Sequence, residues 1–320
     1  MSYPTVLILS LTPSLTGISR SVRTRTSVVA APKKGPHTVC MAIRNKPLVP
    51  QTVNTQIPFW PNDVRGLPNA MARSAMFNVS KNSGGSREHF KMLRIESLSG
   101  IEIHFTGEEL RQDDEDVLLQ LIHLGREAEA GHEVSFTGHA MLRELLWDAS
   151  SKGYNRLIEC INRLKANSVQ IRVEDPMNPN GRLGYGGSLI ASFMFRESDE
   201  RDMSKEWRVV LDPQIVKLFT PNSYSRVDWA TRLRLTPMAK WLHSFYHTHQ
   251  TPFPMKVETF HSLTGSKTKH LKHFRAGLKT ALAELVVEGF LSSWEICPHA
   301  DIVRVVRKSR TGQAALDFHG

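Results

Sequence analysis

Twice in this sequence two short amphipathic helical segments joined by a tight turn are followed by two strand-like runs, and each such unit must bury its apolar faces on itself. The first unit opens with the strand pattern Glu133-Val134-Ser135-Phe136 and a helix capped near Thr137 that carries Met141, Leu142, Leu145 and Leu146. Asp148-Ala149-Ser150 breaks it, and a second helix is expected from Ser151 to Ala166, with Leu157, Ile161 and Leu164 on one face. Val169–Val173 and Leu189–Phe195 read as strands, and the glycine-rich stretch between them (Asn178-Pro179-Asn180-Gly181, then Gly184, Gly186 and Gly187) as a long flexible wing. The second unit is announced by a strand over Trp207–Leu211 and a short helix over Asp212–Phe219. An amphipathic helix over Thr236–Thr248, a short helix over Val257–Leu263 and a long one from Ser266 to about Glu288 follow, and Gly289 ends the last. Leu291–Ile296 and Ile302–Val306 give its two strands. The expected fold is α+β, two tandem winged-helix domains at 63–200 and 201–308, with a disordered basic arm at 1–55 and a tail at 309–320.

Ahead of the first unit, Phe90–Glu96 and Ile101–Phe105 form a hairpin pattern through Leu98-Ser99-Gly100. Thr106 with Glu109 three residues on has the spacing of a capping box, and the helix it would open reads through Val117, Leu118, Leu121, Ile122 and Leu124. Asp113 to Asp116 fall early in that helix, where carboxylates favour its dipole, and four adjacent residues point around a helix instead of at one ion. A solvated face is the expected environment for them.

Charge is informative only once it is located. The 320 residues carry a net +10, but residues 1–62 hold seven Lys or Arg (Arg20, Arg23, Arg25, Lys33, Lys34, Arg44, Lys46) and no acid, which leaves +3 for the rest. Met41 offers an alternative start that would remove most of this arm. No apolar run approaches the roughly 20 residues of a membrane span, and Val6-Leu7-Ile8-Leu9 lacks the basic lead of a secretory signal. A cytoplasmic protein is expected. Three scattered cysteines (Cys40, Cys160, Cys297) make neither a disulfide framework nor a zinc module. His247/His249 and His270/His273 lack a third ligand, and HExxH, GxSxG and GxxxxGK[ST] are all absent. No metal, cofactor or enzymatic activity is expected.

Local clustering points to double-stranded DNA. Thr259–Ala283 contains no Asp or Glu and holds Lys267, Lys269, Lys272, Arg275 and Lys279, with His270 and His273 among them. At about 100° per residue Leu271, Phe274, Leu278, Leu282 and Leu285 share one face, Lys269, Lys272 and Lys279 the opposite one, and Arg275 its flank. Solvated helix faces usually mix signs at i,i+4; here the carboxylate partners are missing. The candidate DNA contacts of this recognition helix are Ser266, Lys267, Lys269, Lys272, His273, Arg275 and Lys279. The helix Ser151–Ala166 offers a second set (Lys152, Tyr154, Asn155, Arg156 and Arg163), interrupted by Glu159, with Tyr154 either touching the DNA backbone or capping a core. An initiator, an operator-binding repressor and a nicking nuclease all use DNA in this way; the nuclease lacks a carboxylate-histidine or tyrosine site.

The peptide Gln56-Ile57-Pro58-Phe59-Trp60 (within 56–62) carries three large apolar side chains at the end of the arm. Either it docks on its own first domain or it inserts Phe59 and Trp60 into a partner's pocket with Gln56 at the rim.

Three stretches resemble the TrfA family of plasmid replication initiators: Phe59-Trp60-Pro61-Asn62-Asp63-Val64-Arg65-Gly66-Leu67-Pro68-Asn69 with Ala72-Arg73-Ser74-Ala75; Thr106 through Val117; and Ala239-Lys240-Trp241-Leu242-His243 continuing through Val257-Glu258-Thr259. The resemblance implies an initiator that binds direct repeats (iterons) and helps open an adjacent AT-rich region. It further implies the host initiator, the replicative helicase with its loader and the sliding clamp as partners, and a balance between dimers and DNA-binding monomers. Gln56 to Trp60 stands where the family carries a clamp-binding peptide; it shares the leading Gln and departs at Pro58 and Phe59-Trp60.

Overall fold

Two separate hydrophobic cores organise the chain, and they divide it near Leu235 except that Val79 joins the second. The computed structural model describes residues 56–81, 86–129, 131–175, 178–195 and 206–308, so the basic arm, Met41 and the tail lie outside the described residues. The first core is built by β1 (Val64–Pro68), α1 (Asn69–Ala72), β2 (Phe77–Asn78), β3 (His89–Ile95), β4 (Ile101–Glu108), β5 (Leu110–Arg111), α2 (Gln112–Gly125), β6 (Glu133–Thr137), α3 (Gly138–Glu144), α4 (Ser151–Lys165), β7 (Ser168–Asp175), β8 (Asn178–Gly187), β9 (Ile190–Met194), β10 (Glu206–Leu211), a 3-10 helix (Pro213–Phe219), β11 (Tyr224–Asp228) and α5 (Trp229–Arg234). The second uses α6 (Pro237–His247), β12 (Met255–Lys256), α7 (Val257–Leu263), α8 (Leu271–Val287), β13 (Leu291–Cys297) and β14 (Ile302–Arg307).

The halves share a plan. In each, one helix precedes a strand, two helices follow, and two further strands complete a three-stranded antiparallel sheet: β6-β10-β9 in the first and β12-β14-β13 in the second. Both sheets place the last strand in the middle. Local chemistry sets the helix starts. The Thr137 hydroxyl accepts from the Ala140 amide at 3.1 Å, and the Ser150 hydroxyl from the Gly153 amide at 3.3 Å.

The expected wing of the first unit is corrected by the pairing. β7 lies between β4 and β8 in a separate antiparallel sheet of order β3-β4-β7-β8, while β9 pairs with β10. The glycine-rich stretch is therefore strand β8, held by Tyr185, which is 3% exposed and donates its hydroxyl to the Ser188 carbonyl at 2.7 Å. The expected boundary at 200/201 falls between two strands of one sheet; Trp207, Val209, Phe219, Val227 and Trp229 all pack in the first core.

Thr106 does not open a helix either. It lies in β4 opposite Ser168, and α2 starts six residues later with the Asp114 carboxylate accepting from the Arg111 amide at 2.8 Å. Val117, Leu118, Leu119, Leu121 and Ile122 are all 0% exposed, so the helix is buried on every side. Its acids are buried with it. Asp113, Asp114, Glu115 and Asp116 are no more than 4% exposed, which overturns the solvated-face expectation. Charges taken out of water need partners, and these come from distant elements: Arg87 and Arg163 reach Asp114 at 2.6 and 2.9 Å, Arg232 reaches Asp116 at 2.7 Å and Glu115 at 3.0 Å, and Lys240 pairs with Asp116. The acidic turn of α2 thus ties α4 on one side to α5 and α6 on the other.

Candidate nucleic-acid interface

Helix α8 owes its buried face to Phe274, Leu278, Ala281, Leu282 and Leu285, and the opposite face looks to solvent. The helix begins at Leu271 with His270 as cap, five residues later than expected; Ser266 instead donates its hydroxyl to Thr268 Oγ1 at 3.2 Å within a turn. Lys269, Lys272, His273 and Lys279 are exposed, as the spacing predicts. Two other candidate cations are engaged inside the chain. Arg275 makes a two-pronged pair with Asp301, at 2.7 and 2.6 Å, which fastens α8 to the β13–β14 connection. Lys267 lies 3.0 Å from Glu109 and 3.0 Å from Glu88.

One exposed position on this face has no reason inside the molecule. Gly277 sits in the middle of α8, and a methyl group added there would meet nothing within 4 Å. Glycine in a helix interior costs about 1 kcal/mol relative to alanine. The neighbouring exposed residues Ala276, Thr280 and Ala283 are also small, so the cationic N-terminal half of the face gives way to a low, open surface.

Helix α4 presents a thinner set. Lys152 and Asn155 are exposed, and the same row continues through Glu159 and Asn162, spaced three, four and three. Asn162 and the exposed Lys165 were not anticipated, although that spacing carried the signal. Arg163 is corrected: it is 8% exposed and its Nε donates to Asp114 at 2.9 Å, so it is a partner of the buried acids and not a DNA contact. Arg156 stacks its guanidinium 3.7 Å over the Trp147 ring and lies 3.5 Å from Asp113. Tyr154 packs edge-on against Trp207, with ring centroids 6.4 Å apart, and its hydroxyl is buried, so of its two readings the core is the one observed.

The clamp-peptide candidates are also docked. Trp60 is 0% exposed, donates its indole N–H to His123 Nδ1 at 3.0 Å and stacks on Phe219 at 5.8 Å; Ile57 is 4% exposed. Gln56 bridges to Glu129 as a short antiparallel contact, Pro58 is half-buried, and Phe59 is 66% exposed beneath Arg126. Packing on the first core is the arrangement seen for Ile57 and Trp60, whereas Phe59, the other side chain offered to a partner, stays exposed.

Among the described residues one group has the composition of a metal site, Asp113, Asp114 and Cys160. Arg87 and Arg163 already occupy its carboxylate oxygens, and burial beside those acids pushes the Cys160 thiol well up, away from the thiolate a metal needs. No helix among the described residues is long and apolar enough to cross a membrane.

Comparison with known proteins follows the same line. The family model described as TrfA protein matches residues 48–307. The chain is 28% identical over 234 residues to the plasmid replication initiator protein TrfA of Escherichia coli, a match that covers 72% of this chain and 59% of that protein. In fold it is similar to a crystal structure of domains 2 and 3 of RctB, with a TM-score of 0.52 at 12% identity over 76% of this chain and 99% of that one.

Proposed function

The chain belongs to the TrfA protein family, and from that premise we propose that it is a plasmid replication initiator whose two halves are winged-helix units binding double-stranded direct repeats at an origin. The observation that carries the DNA reading is the exposed group Lys272, His273 and Lys279 on α8 with Lys269 just before it, in a stretch with no acidic residue from Thr259 to Ala283. Both halves set a helix, a strand and two helices ahead of the last two strands of a three-stranded sheet, although β7 and β8 intervene in the first, and this supports the winged-helix reading with α8 and α4 as the helices that enter the groove. In this reading α8 is the main reader and α4, through Lys152 and Asn155, assists. The protein acts by binding and not by catalysis, and it recruits host initiator and helicase to the opened origin. A repressor would use the same helices on a single palindrome, whereas an initiator needs an array of repeats beside an AT-rich stretch.

A salt titration tests the interface. Lys272→Ala with Lys279→Ala is expected to lower the slope of log affinity against log salt by about 1.8, since each lost phosphate contact removes about 0.9. Gly277→Ala is expected to raise the melting temperature in thermal denaturation, because the helix gains propensity, and to weaken binding in the salt titration, because the added methyl would stand between the helix backbone and DNA. Unchanged slope in the double variant would remove α8 from the interface.

A further inference from the structure

We propose that Lys267 is a positioning residue: its ammonium fastens the turn before α8 to the buried carboxylate of Glu109, fixing where the reader helix stands relative to α4, and it does not meet a phosphate. The proposal rests on the reading of α8 as the DNA reader. It begins with Glu109, which is 0% exposed and belongs to the first half of the chain. Burial alone would raise its pKa, but hydrogen bonds from Lys267, Asn78 and Arg111, at 3.0, 2.6 and 3.1 Å, hold it below the usual range. A phosphate could take Lys267 only by stripping a cation from a carboxylate that water does not reach. The second carboxylate on the same ammonium, Glu88 at 3.0 Å, adds to that cost.

The turn itself is built for this seat. Gly265 has φ +59°, and a Cβ there would stand 2.8 Å from Asn78 Cβ, so only glycine allows the close approach. The Val79 amide donates to the Thr264 carbonyl at 3.1 Å, and Val79 packs in the second core. From Glu109 the connection continues to the other reader. Its backbone carbonyl accepts from Arg87 at 2.8 Å, Arg87 reaches Asp114 at 2.6 Å, and Asp114 accepts from Arg163 of α4 at 2.9 Å. Lys267 is the end of a path of ion pairs and one backbone hydrogen bond that runs from α4 to the threshold of α8.

The test uses the full chain and the duplex that the wild type selects from a random-sequence library. Lys267→Met is expected to weaken binding roughly 2- to 30-fold with the salt slope unchanged, the range by which residues that couple two sites act. Lys267→Arg should restore affinity, and Glu109→Gln should reproduce the loss, again at constant slope. Lys272→Met is the internal standard, expected to lower the slope by about 0.9. A slope lowered by the same amount in Lys267→Met would make Lys267 a phosphate contact and overturn the proposal; wild-type affinity in that variant would overturn it too. If Glu109→Gln does not fold, the Lys267 variants decide, because that side chain is 43% exposed. If the wild type selects no duplex, or Lys272→Met leaves slope and affinity unmoved, it is the DNA reading of α8 that fails.

Discussion

Arg232→Ala should cost roughly 3–5 kcal/mol of folding stability, the penalty for removing one partner of a buried ion pair. The side chain is 0% exposed and every arm of its guanidinium is used. Nε donates to Asp116 at 2.7 Å, Nη1 to the Ser244 hydroxyl at 2.6 Å, and Nη2 to Glu115 at 3.0 Å and Gln112 at 3.1 Å. Alanine would leave Glu115 and Asp116 in a dry site with their charge reduced only by Lys240, which pairs with Asp116. The effect has a pH signature. Burial raises the Glu115 pKa, and the positive charge of Arg232 opposes that rise. Without Arg232 the carboxyl should climb further and take a proton, so its folded-state pKa, already above the unfolded one, moves further above it. Such a group favours the fold below the unfolded pKa, and the benefit is lost as pH rises through the folded pKa. Urea denaturation at pH 5 and pH 8 should therefore show a larger deficit for Arg232→Ala at pH 8. Arg232→Lys should recover little, since one ammonium cannot meet four acceptors in a planar fork. A variant within 1 kcal/mol of the wild type, the ordinary range of surface pairs, would mean that the α2 acids are not held as described.

That network also explains what the sequence could and could not disclose. Strands β3, β4, β6, β10, β13 and β14 and helices α3, α4, α6 and α7 follow from periodicity and capping residues near each other in the chain. The acids of α2 were misjudged because their partners Arg87, Arg163, Arg232 and Lys240 are up to 124 residues away, beyond any local pattern. A signal was present: Val117-Leu118-Leu119 and Leu121-Ile122 leave that helix no polar side, so whatever precedes them is drawn inward. The wing of the first half was misassigned for a similar reason. A run such as Val169–Val173 shows that a strand exists, but its partner is chosen by which face Ile171 and Tyr185 bury, and pairing is a tertiary fact. On α8 the spacing put Lys272 and Lys279 on the face observed to be exposed, but it extended the helix back over Lys269 and offered Lys267 and Arg275 as DNA contacts, because their carboxylate partners lie outside the helix.

Trp60→Ala is expected to cost roughly 3–5 kcal/mol, as large-to-small changes of a core aromatic do, while Phe59→Ala should stay within about 0.5 kcal/mol, as exposed positions do. For a unit the size of the first half, the Trp60 loss corresponds to a melting-temperature drop of roughly 6–20 °C. The contrast separates the two roles of the peptide: a strap that docks on the first core loses stability at Trp60, whereas a ligand for the clamp would lose capture at both positions and stability at neither. The seat is shaped for the indole, since a methyl group on Gly66 would overlap the Trp60 ring. Its acceptor adds a second test. Burial, with the charges of Arg65 and Arg126 nearby, lowers the His123 pKa to about 3, so the ring stays neutral and Nδ1 can accept the indole N–H. The unfolded chain binds that proton near pH 6.5. Stability from this group is complete above that value and falls as pH drops toward 3, by about 1.4 kcal/mol per unit. His123→Asn keeps an acceptor and removes the titration, so its melting temperature should fall less steeply than the wild type's between pH 6.5 and pH 5. Parallel curves would mean that His123 is solvated in both states and that the Trp60 strap does not stay docked in solution.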